Sequence, residues 1–151
     1  MNVTDVTIKL VNGHTGIHAD LKAYCSVTLD GEFVVRDIKV LSSGGNLFIG
    51  MPSRKLHTRC HECSSKVYLK AWYCSYCGAR LGKSTIPLDA YGREKLHAGV
   101  AHPVTSECRE HIERYVLAAY YHEVERSKRP GYVSSYDMLI EDVAARYQEV
   151  A

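Results

Sequence analysis

The chain has 151 residues, is 46% hydrophobic and carries a formal net charge of +2. That composition can build a core and argues against wholesale disorder. No apolar run approaches the roughly 18–20 residues that cross a bilayer, and the opening MNVTDVTIKL lacks a basic region followed by an apolar core. A cytoplasmic protein with no membrane partner is therefore expected. The charge is uneven: from Arg54 to Lys83 seven Lys/Arg face one acid, Glu62, giving +6 and leaving −4 elsewhere.

The first fifty residues read as strands. Val6, Ile8 and Leu10 alternate with polar neighbours, and Leu21, Ala23, Cys25, Val27 and Leu29 share one face of a second strand. Asp30-Gly31 signals a tight turn into a returning strand, EFVVRDIKVL. SSGG, Ser42 to Gly45, turns the chain again, and NLFIGM forms a short fourth strand ending at Pro52. Four strands with short connections predict an antiparallel meander that needs a cover on one face.

The cover comes from a helix capped by Ser106, with Ile112, Tyr115, Val116, Ala119 and Tyr120 at helical spacing. Glu107 and Glu110 near its start and Arg126, Lys128 and Arg129 near its end suit the helix dipole, and Pro130-Gly131 stops it. A second helix is expected over 134–149, with Leu139, Val143, Ala144 and Tyr147 on one side. KSTIPLDAYGREKLHAGV has no clear period and reads as loop with one helical turn at most. Cys25 falls on the inward strand face as a core residue. Cys108 has no base partner and reads as structural. Tyr115, Tyr120 and Tyr121 read as core or dimer contacts.

Between strands and helix lie two C-x-x-C pairs, Cys60/Cys63 and Cys74/Cys77. In a chain without a secretion signal this pattern points to metal rather than disulfides. Two such turns place four sulfurs at tetrahedral corners about 2.3 Å from Zn²⁺. Gly78, directly after Cys77, suits the tight second turn. Four thiolates close the site, so a structural zinc is expected and a catalytic one is not, although His57 and His61 are near enough to compete. Iron fits a sulfur tetrahedron too. Bound metal would lower the local charge to about +4.

Ser64 to Tyr73 can form a turn and a strand carrying the second pair, as in a zinc ribbon. On that strand Val67, Leu69, Ala71 and Tyr73 share one face, and Lys66, Tyr68, Lys70 and Trp72 the other. Cation alternating with aromatic is the chemistry of a single-strand stacking platform. The plainer alternative is that Tyr68 and Trp72 pack inward and the lysines are solvated.

Taken together, VTDVTIKLV, CSVTLDGEFVVRDIKV, NLFIGMPSRK and VAHPVTSECREHIERYVLAAY resemble the SpoVG family (stage V sporulation protein G, septation regulators). They follow the family's order over residues 3–55 and 99–121. YCSYCGARL also resembles the second knuckle of rubredoxin-like ribbons. The family resemblance implies a small α+β fold, a dimer with exchanged or intertwined helices, and non-enzymatic nucleic-acid binding in gene regulation. It assigns nucleic-acid binding to the basic pair after MPS, here Arg54 and Lys55, and a helix-entry role suits His102 in AHPVTS. The departure is residues 56–98, which stand where the family has a short loop.

The expected architecture is α+β: a four-stranded antiparallel meander with C-terminal helices, plus an inserted zinc ribbon. Residues 1–55 and 99–130 form the SpoVG-like core, 56–98 the ribbon and linker, and 131–151 the C-terminal helix. Zn²⁺ is expected at Cys60, Cys63, Cys74 and Cys77. Nucleic acid, DNA or RNA, is expected at Arg54, Lys55, Arg59, Lys66, Tyr68, Lys70, Trp72 and Arg80 of a homodimer. The alternative is a protein-interaction adaptor whose ribbon docks a partner, since zinc ribbons serve both purposes. A zinc hydrolase would need an open coordination position and a general base, and the sequence supplies neither.

Overall fold

In the computed structural model, residues 1–11 and 20–136 are described. The alternation of the first fifty residues becomes β1 (Val3–Leu10), β2 (Leu21–Leu29), β3 (Phe33–Ser43) and β4 (Asn46–Gly50). They pair antiparallel in sequence order, an up-and-down meander. The register aligns Ile8 with Cys25 and Cys25 with Ile38, and Ala23 with Val40 and Val40 with Ile49. All six are buried, so one face of the sheet is a continuous apolar layer.

Two turns hold that register. Leu29 C=O accepts from the Glu32 amide at 3.0 Å around Asp30-Gly31. Gly44 and Gly45 (φ 57° and 85°) form the two-residue turn that joins Ser43 to Asn46. A third feature was not legible as a strand pattern. Val27 pairs with Val35 but Cys25 with Ile38, so Arg36 and Asp37 both oppose Ser26, and Asp37 takes φ 60°. This bulge shifts the alternation of β3 by one residue. Without it, the face of Val35 would continue into Asp37 and Lys39; with it, Ile38 and Val40 turn inward.

The cover is α1 (Ser106–Ser127). Its N-cap is Thr105, not Ser106: the Thr105 hydroxyl accepts from the Cys108 amide at 3.2 Å, and the helix stops at Ser127, short of Pro130. Ile112 and Val116 enter the sheet core, with Cys108, Ala119 and Tyr120 at its margin, while Tyr115 and Tyr121 are exposed. At the edge strand, Arg109 Nη2 donates to the Ile49 carbonyl at 2.9 Å and the Ile49 amide donates to Glu113 Oε1 at 3.3 Å. Two charged side chains one helical turn apart thus occupy the backbone groups a further strand would use.

Near the helix end, Glu123 is 4% exposed. It accepts from Arg126 at 2.9 Å and from the Tyr132 hydroxyl at 2.5 Å. Arg126 is therefore a partner for a buried carboxylate rather than a solvated dipole cation. The helix expected over 134–149, with Leu139, Val143, Ala144 and Tyr147, falls from residue 137 onward outside the described residues.

The chain divides into two compact units, one of Met1–Pro52 with Ala101–Ala151 and one of Ser53–Val100. Arg54 and Lys55 fall in the second. There β5 (Ser53–Lys55) pairs with β8 (His97–Gly99), and β6 (His57–Arg59) pairs with β7 (Lys66–Tyr68), both antiparallel. The stretch read as loop is more ordered than expected. Asp89 accepts from the amides of Tyr91 and Arg93, Leu88 bridges Glu94, and the chain then forms β8. No described helix is long and apolar enough to cross a membrane.

Candidate metal centre and basic edge

The two C-x-x-C turns are built alike. In the first, the Cys60 amide donates to Ser65 C=O at 2.9 Å and the Ser64 amide to Cys60 C=O at 3.0 Å. In the second, the Cys74 amide donates to Ala79 C=O at 2.9 Å and the Gly78 amide to Cys74 C=O at 2.9 Å. The residue four places after each leading cysteine is left-handed: Ser64 at φ 60° and Gly78 at φ 75°. Gly takes that conformation without strain and Ser does not. The first knuckle has extra support, because Arg59 Nη1 donates to Ser64 C=O at 2.9 Å.

Hairpin β6–β7 carries the first knuckle, and the Tyr73–Arg80 bridge closes the second. All four Sγ atoms lie within 4.8 Å of one another. Cys60 and Cys77 Sγ are 3.7 Å apart, and Cys63 and Cys74 Sγ 3.6 Å. A sulfur tetrahedron with about 2.3 Å arms has edges of about 3.8 Å, whereas a disulfide would bring sulfurs to about 2.05 Å. The four cysteines can hold a metal ion, and neither His57 nor His61 belongs to the group. Cys60 and Cys74 are buried against Val67, with Ala79 and Leu81 beside them; Cys63 and Cys77 are solvent-exposed.

Hydrogen bonds from the Ser65 side chain and backbone hold the Cys63 thiol down at about 6. Cys77 is pushed up to about 12: its bond from the Ala79 amide is outweighed by burial and by the neighbouring sulfurs. A second negative charge among four crowded sulfurs is unfavourable without a cation to share it. Cys25, in the sheet core, is also pushed up to about 12, there by burial alone.

The basic residues reach different situations. Arg54, Lys66 and Arg80 are exposed. Lys55 holds its ammonium 5.3 Å from the centre of the half-buried Tyr68 ring. Arg59, committed to the Ser64 carbonyl, supports the knuckle. Lys70 pairs with Glu94 at 2.6 Å, which raises its pKa through that hydrogen bond and charge. The cation expected to meet phosphate thus has a carboxylate partner within its own unit. The strand expected to continue to Tyr73 ends at Tyr68, where the Ala71 amide turns back to Tyr68 C=O at 3.0 Å. Tyr68 and Trp72 therefore do not share a strand face, and Trp72 stands 69% exposed. Lys95 and Arg93 of the same unit escaped the sequence reading because no motif marks them.

A family model described as SpoVG matches residues 1–122. The chain belongs to the SpoVG family. Relatives named for the septation protein SpoVG bear this out. That of Finegoldia magna is 33% identical over 126 residues, covering 83% of this chain and 80% of the relative. That of Clostridium novyi is 30% identical over 142 residues, covering 94% and 100%. A SpoVG relative from Acetivibrio thermocellus reaches 51% over 55 residues, covering 36% of this chain and 54% of its own. The sheet and α1 are thus the family's elements, and the four-cysteine unit lies within the matched span.

Proposed function

We propose that this SpoVG-family protein is a non-enzymatic, cytoplasmic, homodimeric regulator that binds nucleic acid through its Ser53–Val100 unit, with Zn²⁺ holding the two knuckles. The observation that carries this is the charge of that unit. Nine Lys/Arg stand against three acids (Glu62, Asp89, Glu94), a net +6, while the rest of the chain is −4. With a divalent ion on four thiolates the unit still carries about +4.

Arg54, Lys55, Lys66 and Arg80 are the phosphate contacts in this reading, and Lys70 contributes less because Glu94 neutralises it. Closed four-sulfur coordination leaves no position for a substrate, so the metal's role is structural. Fluorescence anisotropy on a random oligonucleotide pool tests it: binding at low salt that falls steeply as salt rises is the expected result. Absence of binding at low salt ends it.

A protein-docking role for the unit is favoured by one observation, the exposure of Trp72, Tyr73 and Tyr76 around the second knuckle. Binding to such a partner would depend weakly on salt.

A further inference from the structure

After Tyr68 the chain leaves β7 through a turn, and residues 81–88 run past it within the same unit. Between them is a cleft of about 470 Å³. Its lining is mixed, with Leu69, Trp72, Leu81, Ile86 and Leu88 as the large apolar members. Trp72 and Leu88 are 69% and 63% exposed, so the walls are open to solvent. Lys83 lines the rim, and so do Lys70 and Glu94, whose mutual pairing at 2.6 Å cancels their charges.

We propose that this cleft receives an unpaired base of single-stranded nucleic acid, stacked on Trp72, with Lys83 meeting the adjoining phosphate. The inference rests on the nucleic-acid reading above and specifies the form of nucleic acid. The unit's positive charge, about +4 with metal on the four thiolates, selects an anionic partner. An open slot with large apolar members beside an exposed indole selects one that also carries a flat, uncharged ring system. A duplex hides its ring faces in its own stack, whereas a single strand offers them. The Lys70–Glu94 pair matters here because an unneutralised carboxylate at the rim would repel the backbone.

Trp72 is the chain's one tryptophan, so its emission reports on the cleft directly. The metal-loaded full chain is titrated at low salt with oligo(dT), oligo(U) and a duplex of equal length, reading both tryptophan emission and anisotropy of labelled strands. The single strands are expected to quench Trp72 and to bind roughly ten-fold tighter than the duplex. Trp72→Leu should lose that preference while keeping its metal and circular dichroism. Trp72→Phe, which retains a ring, should keep most of it and serves if the leucine variant does not fold. Equal binding of strand and duplex with unchanged emission overturns the cleft but leaves nucleic-acid binding standing. Binding of neither form overturns both. A strand preference that survives in Trp72→Leu also refutes the proposal.

Discussion

The Lys55 ammonium lies 5.3 Å from the centre of the Tyr68 ring. Lys55 belongs to β5 and Tyr68 to β7, next to Val67, which is buried with Cys60 and Cys74. A cation assigned to phosphate is thereby tied to the hairpin that carries the first knuckle. The neighbouring Arg54 is exposed on the same short strand. The two cations should separate by experiment. Each alanine variant is expected to lower the salt slope of nucleic-acid binding by about 1. Lys55→Ala should also cost about 0.5–1 kcal/mol of stability through the lost cation–π contact, and Arg54→Ala almost none. Salt titrations alongside urea denaturation check both.

Metal removal should act on one unit. The Ser53–Val100 core around the knuckles consists of Cys60, Val67 and Cys74 with Ala79 and Leu81 beside them. So small a cluster cannot offset the entropy of ordering its chain. Chelation, or Cys74→Ser, is expected to collapse amide protection in residues 53–100 while β1–β4 and α1 keep theirs. Hydrogen exchange followed by mass spectrometry would show it.

The two knuckles offer a paired test of backbone strain. Gly78 and Ser64 hold equivalent left-handed positions, at φ 75° and 60°. Gly78→Ala is expected to cost about 1 kcal/mol, and Ser64→Gly to gain up to about 1 kcal/mol. Competition for zinc against a chromogenic chelator measures both.

The Tyr132–Glu123 hydrogen bond predicts an alkaline limit for the sheet-and-helix unit. Burial, then the bond to Glu123 and its charge, raise the Tyr132 pKa. A pKa raised on folding favours the protonated form, so the contribution is complete below about pH 10 and fades as pH rises through the raised value. Tyr132→Phe should cost about 1–3 kcal/mol, because Glu123 stays buried with Arg126 as its remaining charged donor. It should also flatten the alkaline arm of a stability–pH curve.

The sequence carried the meander because its signals are local: Leu21 to Leu29 alternates, Asp30-Gly31 turns, and the next run returns. The Asp37 bulge was hidden because RDIKV scans equally well in either phase, and only pairing with β2 selects one. The cysteine group was legible since C-x-x-C spacing is itself the geometry of a knuckle. Its internal symmetry needed the backbone bonds of Ser64 and Gly78. The pairing of Lys70 was not legible because its partner, Glu94, is far along the chain and arrives through a hairpin that no period announces. Trp72 is exposed, but it does not continue the strand face of Tyr68, because a turn at Leu69 and Lys70 ends β7 early.

The central claim is that nucleic acid meets the Ser53–Val100 unit. Amide chemical-shift mapping of the zinc-loaded, isotope-labelled chain with a short oligonucleotide tests it most directly. Shifts concentrated at residues 54–59, 66–72 and 80–83 are predicted. Shifts confined to β1–β4 and α1, or none at low salt, would contradict it.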